Sequence, residues 1–369
     1  MSSRIAVAIS VIQSLLLLIH FFIYETWIAL HGAPRQPWLL LVQISFAILS
    51  VSFLASSLLA HRFFNRPVRV YYRLASIWLG FVNFAFAAAC LAWLMVGVTI
   101  AFSLPFTQSG IAIFFLGFAV FATLYGLANA ATLRIKRVTV KLPGLPASWR
   151  GRVAALVTDT HLGHIKGRGF IFRIVTKLRQ LHADVVFISG DMFDGTHVDA
   201  PRLVAPWRQL SPKFGSYFVT GNHDEFSDSN GYLSAIRNSG IRVLNNETVN
   251  LDGLQVLGVP YHDSANPERF RSILANADLD RSRASVLLTH VPHSLPIPEE
   301  RGISLQLSGH THGGQIFPFT WFTSRIFGAY TYGLKRFGDL LVYTSSGAGT
   351  WGPPLRVCTV PEIVLIHFE

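Results

Sequence analysis

Along the first third of the chain apolar positions follow one another with no polar face between them. Four stretches, residues 5–24, 38–60, 74–102 and 110–133, carry no charged residue. Each is as long as the run of about 20 apolar residues that crosses a bilayer core. Helices apolar on all sides need lipid or a large core around them. Buried helices of a soluble core rarely run so far without a charge, so residues 1–133 are predicted to form a four-span transmembrane domain. A cleavable signal peptide would account for the first stretch alone, and neither a twin-arginine pair nor a small-x-small cleavage site flanks it. Gln13, His20, Gln43 and Asn83 are polar positions inside the spans. Being uncharged, they are expected to join helices by hydrogen bonds rather than to line a transport path.

After Pro143 and Pro146 the pattern changes to short apolar runs that end in polar clusters. Residues 153–157 end at Thr158, Asp159, Thr160 and His161; 185–189 end at Gly190 and Asp191. The run 217–219 ends at Thr220, Gly221, Asn222, His223 and Asp224, 286–288 at Thr289 and His290, and 305–307 at Ser308, Gly309, His310, Thr311 and His312. Further β-rich runs follow at 340–343 and 363–368, and 169–181 has the spacing of a basic amphipathic helix. Short β-branched and aliphatic runs bounded by turn residues read as buried strands, and their alternation with helix argues for an α/β layered domain. In such domains reactive groups gather at the carboxyl ends of strands. Residues 134–150 are read as a juxtamembrane linker and 151–369 as this second domain.

Composition sharpens the division. The chain is 51% hydrophobic and 14% charged, against a charged share of about a quarter in soluble proteins. Residues 1–133 contain as charges Arg4, Glu25, Arg35, Arg62, Arg66, Arg69 and Arg73, which is +5 of the formal +11. The remaining +6 is spread over residues 134–369 with no groove-length basic stripe, so no specific nucleic-acid partner is expected. Arg62, Arg66, Arg69 and Arg73 lie between the second and third spans, and Arg134, Lys136, Arg137 and Lys141 follow the fourth. The other two loops hold Arg35 and no charge. The positive-inside rule then puts both termini and the second domain on the cytoplasmic side of the cell (inner) membrane, a multi-pass arrangement with the lipid bilayer as partner. Cys90 and Cys358 lack CxxC spacing, which argues against disulfides and thiolate zinc sites and fits a reducing compartment.

Asp159, His161, Asp191, Asn222, His290, His310 and His312 all fall at predicted strand ends. Seven polar groups at buried strand ends need a common partner. A mixed oxygen and imidazole set suits Mn, Fe, Zn or Ni better than Ca or Mg. Gly190, Gly221 and Gly309, each directly before one of these residues, permit tight turns.

In order, Asp159-Thr-His161, Gly190-Asp191-x-x-Asp194, Gly221-Asn222-His223-Asp224, Thr289-His290 and Gly309-His310-Thr-His312 resemble the five blocks of the calcineurin-like metallophosphoesterase superfamily. The likeness covers about residues 150–369, and Ser308-Gly-His-Thr-His-Gly-Gly-Gln315 with Pro361-Glu-Ile363 resembles its membrane-associated bacterial phosphodiesterase branch. The resemblance implies a four-layer α/β/β/α sandwich with two mixed sheets and two divalent metal ions, manganese favoured. It implies that Asp159, His161, Asp191 and His312 hold one ion, and that Asp191 bridges to a second held by Asn222, His290 and His310. A metal-bridging hydroxide would then attack phosphorus, His223 would protonate the leaving oxygen, and Asp194 would orient His223. Asp224 is either a further support of the ligands or a turn-stabilising carboxylate. Where protein serine/threonine phosphatases of the superfamily carry Arg after the residue matching Asp194, this chain has Gly195. That argues against phosphoprotein substrates and leaves phosphodiesters or pyrophosphates. His164 and His293, near ligand blocks, are phosphate contacts or plain surface residues.

The aromatic segment 317–332, with Arg325 inside it and Lys335 beyond, follows His312 closely. It is either a lip that touches the membrane or an acyl chain, or a loop packed over a sheet edge. The expectation is a membrane-anchored two-metal phosphoesterase acting on a lipid-linked or membrane-proximal substrate, for which a UDP-diacylglucosamine-like pyrophosphate is the analogy. A broad-specificity phosphodiesterase or nuclease merely tethered to the membrane is the alternative within the same chemistry. A non-catalytic membrane scaffold or sensor would call for a missing ligand or a missing His223, and none is missing.

Overall fold

The computed structural model describes residues 3–225 and 229–369. It divides into two compact units, Met1–Ala128 with Gly352–Leu355, and Asn129–Trp351 with Arg356–Glu369.

The first unit is built on α1 (Ser3–His31), α2 (Trp38–Ala60), α3 (Arg66–Ala101) and α4 (Gln108–Ala131). All four are long and apolar enough to cross a membrane. α3 begins eight residues before the predicted 74, because Asn65 caps it by accepting from Val68 N and Pro67 supplies a preset φ in the first turn. Arg66, Arg69 and Arg73 therefore lie on the opening turns of a helix rather than in a loop. Small residues bring the helices together: Ala85 and Ala88 of α3 share a buried cluster with Ala119 of α4. Gly80 of α3 leaves the space that Leu355 fills. Gln13, His20 and Gln43 join helices. Gln13 Nε2 donates to Ser50 O, Gln43 Nε2 to Tyr24 OH, and Trp78 Nε1 to His20 Nε2.

The second unit contains β1 (Arg134–Val140), β2 (Val153–Val157), β3 (Val185–Ser189), β4 (Ser216–Val219), β5 (Arg242–Val243), β6 (Glu247–Leu251), β7 (Leu254–Gly258), β8 (Ser285–Leu288), β9 (Leu305–Ser308), β10 (Gly333–Phe337), β11 (Leu340–Thr344) and β12 (Glu362–Phe368). They form two six-stranded sheets, β1-β12-β2-β3-β4-β5 and β10-β11-β9-β8-β7-β6. Both are mixed. β12 runs antiparallel to β2 in the first, and β10/β11 and β6/β7 are antiparallel in the second. Alternate residues Ala154, Leu156, Val185 and Phe187 of the first sheet share one buried core with Val256, Val286, Leu288, Leu305 and Leu307 of the second. On the second sheet's other face Leu257, Leu287 and Val342 pack against Phe270 and Leu274 of the helix Pro267–Asn276. In the first sheet β3 is buried at every position, and α5 (Arg168–Leu181) buries Ile171, Ile174, Val175 and Leu178. The expected pair of mixed sheets between helical layers is what the chain forms.

The segment expected as a linker, 134–150, is instead part of the second unit. β1 pairs in parallel with β12 from Arg134 to Val140, and Trp149 is fully buried. Its exposed Arg134, Lys136 and Arg137 hide the apolar alternation from a sequence reading. β6 and β7 lie outside the predicted strands, although Asp252-Gly253 between them, both at positive φ, is a hairpin signal.

Candidate metal centre

Loops at the carboxyl ends of β2, β3 and β4 in one sheet and of β8 and β9 in the other deliver the site residues. Asp159, His161, Asp191, His310 and His312 all have φ between +45° and +70°, a strained region for residues with a Cβ. The close approach of loops rests on glycine. A Cβ on Gly221 would strike the Asp191 carboxylate, and one on Gly309 would strike Asp159 and Thr158.

All seven predicted ligands come together. His161 Nε2 and His312 Nε2 are 3.0 Å apart, with Asp159 Oδ1 at 3.9 and 3.5 Å from them. Beside this cluster His310 Nδ1 lies 3.0 Å from Asn222 Oδ1 and 3.2 Å from His290 Nε2. Asp191 Oδ2 stands between the two, 3.6 Å from His161 Nε2 and 3.2 Å from His290 Nε2. Asp159, Asp191, His161, His290 and His312 are buried.

The electrostatics are those of a site short of positive charge. Burial, reinforced by Asp191, pushes the Asp159 carboxyl up to about 6. Burial pulls His161 and His310 down to about 3, and His312 well below its usual value. For His290 burial works against the charged form, but the Asp191 carboxylate outweighs it and raises the imidazole to about 10. That ion pair, with His161, holds Asp191 far below the usual carboxylate range in spite of its burial.

These residues fit divalent cations. Donors bonded at about 2.1 Å and at right angles to one another lie about 3 Å apart, which is the spacing of His161 and His312. His290 Nδ1 donates to Ser189 O at 2.8 Å, leaving Nε2 turned inward. The two clusters share Asp191.

His223 sits at the edge of both clusters. Its main-chain N donates to Asp191 Oδ1 at 2.9 Å, and its Nδ1 donates to the main-chain carbonyl of Asp194 at 3.2 Å. The Asp194 carboxylate accepts from Thr196 N and Oγ1. Gly195 has φ +82°, a conformation that an arginine there would adopt only under strain. Burial lowers the His223 pKa. Asp224 accepts from Phe193 N and Gly221 N and ties the β3 and β4 loops together. His164 is not a surface residue: it is fully buried, with Nδ1 3.1 Å from Thr196 Oγ1. His293 is half-buried beside Ser294.

Several supporting residues had no assigned role in the sequence reading. Arg356, fully buried, donates to His312 O, Ser346 O and Gly349 O, and its Nη2 lies 3.0 Å from His312 Nδ1. Glu362 accepts from Tyr332 OH and Ser345 Oγ on the neighbouring loops. Gln315 pairs its amide with both N and O of Trp351, whose ring centroid is 5.6 Å from that of His223. A lone Arg356 within an apolar segment and Glu362 opening a strand of apolar residues were the available signals of buried charge.

Residues 153–314 match the family model of calcineurin-like phosphoesterases. An uncharacterized metallophosphoesterase of Campylobacter jejuni is 33% identical over 68% of this chain and 67% of its own length. One of Helicobacter pylori is 34% identical over 58% of each chain. A transmembrane protein with metallophosphoesterase domain from Danio rerio is 32% identical over 66% of this chain and 59% of its own. The chain thus spans about three-fifths to two-thirds of these relatives.

Proposed function

The chain belongs to the calcineurin-like phosphoesterase family, and from that premise we propose that it is a membrane-anchored two-metal hydrolase of phosphodiester or pyrophosphate bonds in a lipid-linked or membrane-proximal substrate. The observation that carries the reading is Asp191, one carboxylate oxygen facing imidazole nitrogens of two clusters at 3.6 and 3.2 Å. Asp159, His161, Asp191 and His312 would hold one cation, and Asp191, Asn222, His290 and His310 the other, with manganese favoured. Bound there, such a pair neutralises phosphate charge and lowers the pKa of water toward neutrality. The chain's own contribution is the proton. His223 Nδ1 must keep its hydrogen to serve the Asp194 carbonyl, so Nε2 is the nitrogen that gives a proton to the leaving oxygen. Gly195 leaves no guanidinium to grip a phosphomonoester dianion, which favours diesters and pyrophosphates. Helices long enough to span a membrane support a lipid-borne substrate, since tethering raises its effective concentration. A UDP-diacylglucosamine-like pyrophosphate is the specific candidate, and the basic residues between the second and third spans and after the fourth support a reaction on the cytoplasmic face.

The test uses the full chain in nanodiscs, stripped by chelator and reloaded with Mn²⁺. It is offered bis(p-nitrophenyl) phosphate, a soluble alkyl diester and a lipid pyrophosphate. Turnover should require metal and be faster on the lipid than on the soluble alkyl diester. His223→Ala should cost about 10²–10⁴-fold on alkyl leaving groups and far less on nitrophenolate, which departs unprotonated. No turnover of any of the three sinks the hydrolase reading; equal rates on soluble and lipid substrates sink its lipid part.

A further inference from the structure

The helix Phe319–Phe327 buries none of its side chains. Even so, it follows the metal-ligand loop directly, and the ring of Phe327 meets that of His310 edge-on at 6.0 Å. Phe319, Phe322 and Ile326, spaced i, i+3 and i+7, share one face and are 53%, 50% and 74% exposed. Trp321 and Arg325, one turn apart on the same helix, form a cation–π pair at 5.2 Å. Trp351, 57% exposed, stands beside His223 with its backbone clamped by Gln315. A contiguous exposed apolar stripe marks an interaction surface, and aromatic residues edged by arginine are what a helix lying in a membrane interface carries.

The occupant follows from the rest of the chain. Four of its helices are long and apolar enough to cross a bilayer, so a bilayer is always within reach. The last turn of α4 is also wired to the metal-ligand loop inside the second unit. Asn129 Nδ2 donates to Arg356 O and Thr359 O, both at 2.8 Å, and Arg356 Nη1 donates to His312 O. One arginine separates the end of a candidate span from a candidate metal ligand.

We propose that the helix Phe319–Phe327, with Trp351, is a lip that lies in the interfacial layer of the bilayer, so that a lipid phosphate enters the metal site without leaving the headgroup region. The catalytic consequence rests on the lipid-substrate reading above; the insertion of the lip does not.

The test is made on the full chain in phosphatidylcholine/phosphatidylglycerol nanodiscs with Cys90→Ser and Cys358→Ser. An environment-sensitive fluorophore is attached at Ile326→Cys or, as a control, at Phe172→Cys on α5, where the native side chain is 50% exposed. The label at 326 should emit blue-shifted and be quenched by doxyl lipids, while the label at 172 is quenched by aqueous iodide. Matching behaviour at the two positions overturns the proposal. Separately, Phe322→Ser with Ile326→Ser should lower the ratio of lipid to bis(p-nitrophenyl) phosphate turnover at least about tenfold; an unchanged ratio also overturns it. Insertion without hydrolysis of any phosphoester would reject the hydrolase and leave the lip standing, whereas lipid hydrolysis without insertion would do the reverse.

Discussion

His20 and His161 are both buried histidines, and their surroundings differ in one respect. In the helical unit His20 has a complementary partner on each ring nitrogen: Nδ1 donates to Leu16 O at 2.7 Å and Nε2 accepts from Trp78 at 2.9 Å. In the α/β unit His161 Nε2 faces His312 Nε2 and the Asp191 carboxylate, and His161 Nδ1 is buried without a partner. A buried polar group with local partners fastens helices together. Lone pairs that face other lone pairs are arranged for a cation. The same residue type thus serves architecture in one unit and candidate chemistry in the other, and the neighbours decide which.

The largest effect expected from breaking this contrast is at Asp191. Asp191→Asn removes the charge that both clusters share, so bound Mn²⁺ should fall from two per chain to one or none and turnover by at least about 10³-fold. Metal analysis showing two ions in an active variant would end the shared-carboxylate reading. A middle-sized effect concerns protons. With its pKa raised to about 10 by Asp191 against the pull of burial, His290 is protonated at neutral pH in the metal-free protein. Binding must expel that proton, so Mn²⁺ affinity should fall about tenfold for each pH unit lowered between about 8 and 6. Titration calorimetry in buffers of different ionisation enthalpy would register the released proton; a pH-independent affinity would mean that His290 is no ligand. The smallest effect belongs to the helical unit. His20→Phe strands the Trp78 N–H and should cost about 1 kcal/mol of helix association. Metal content and the rate on bis(p-nitrophenyl) phosphate should stay unchanged. A thermal-unfolding comparison of the full chain measures the first, and any loss of metal would blur the distinction drawn between the units.

Much of the fold is legible in the order of residues along the chain. The spans 38–60 and 110–133 coincide closely with α2 and α4, because an uncharged run of bilayer length has few other ways to fold. Strands 153–157 and 185–189 match β2 and β3 residue for residue, since short, nearly unbroken apolar runs closed by turn residues carry their own boundaries. β5, a strand of two residues, and β10, GLKRF with two basic positions, have no such signature and exist because a neighbouring strand pairs with them.

At the site the division has the same cause. The sequence alone determined which residue types stand at which strand ends, since each block is local, a glycine or threonine placed next to a donor. Only the tertiary structure decided how the blocks use one another: that His310 turns Nδ1 inward while His290 turns Nε2, that Asp194 meets His223 through its carbonyl, and that Arg356 backs His312. Those relations join residues far apart in the chain. They depend on the packing of two sheets, and no spacing along one strand encodes them.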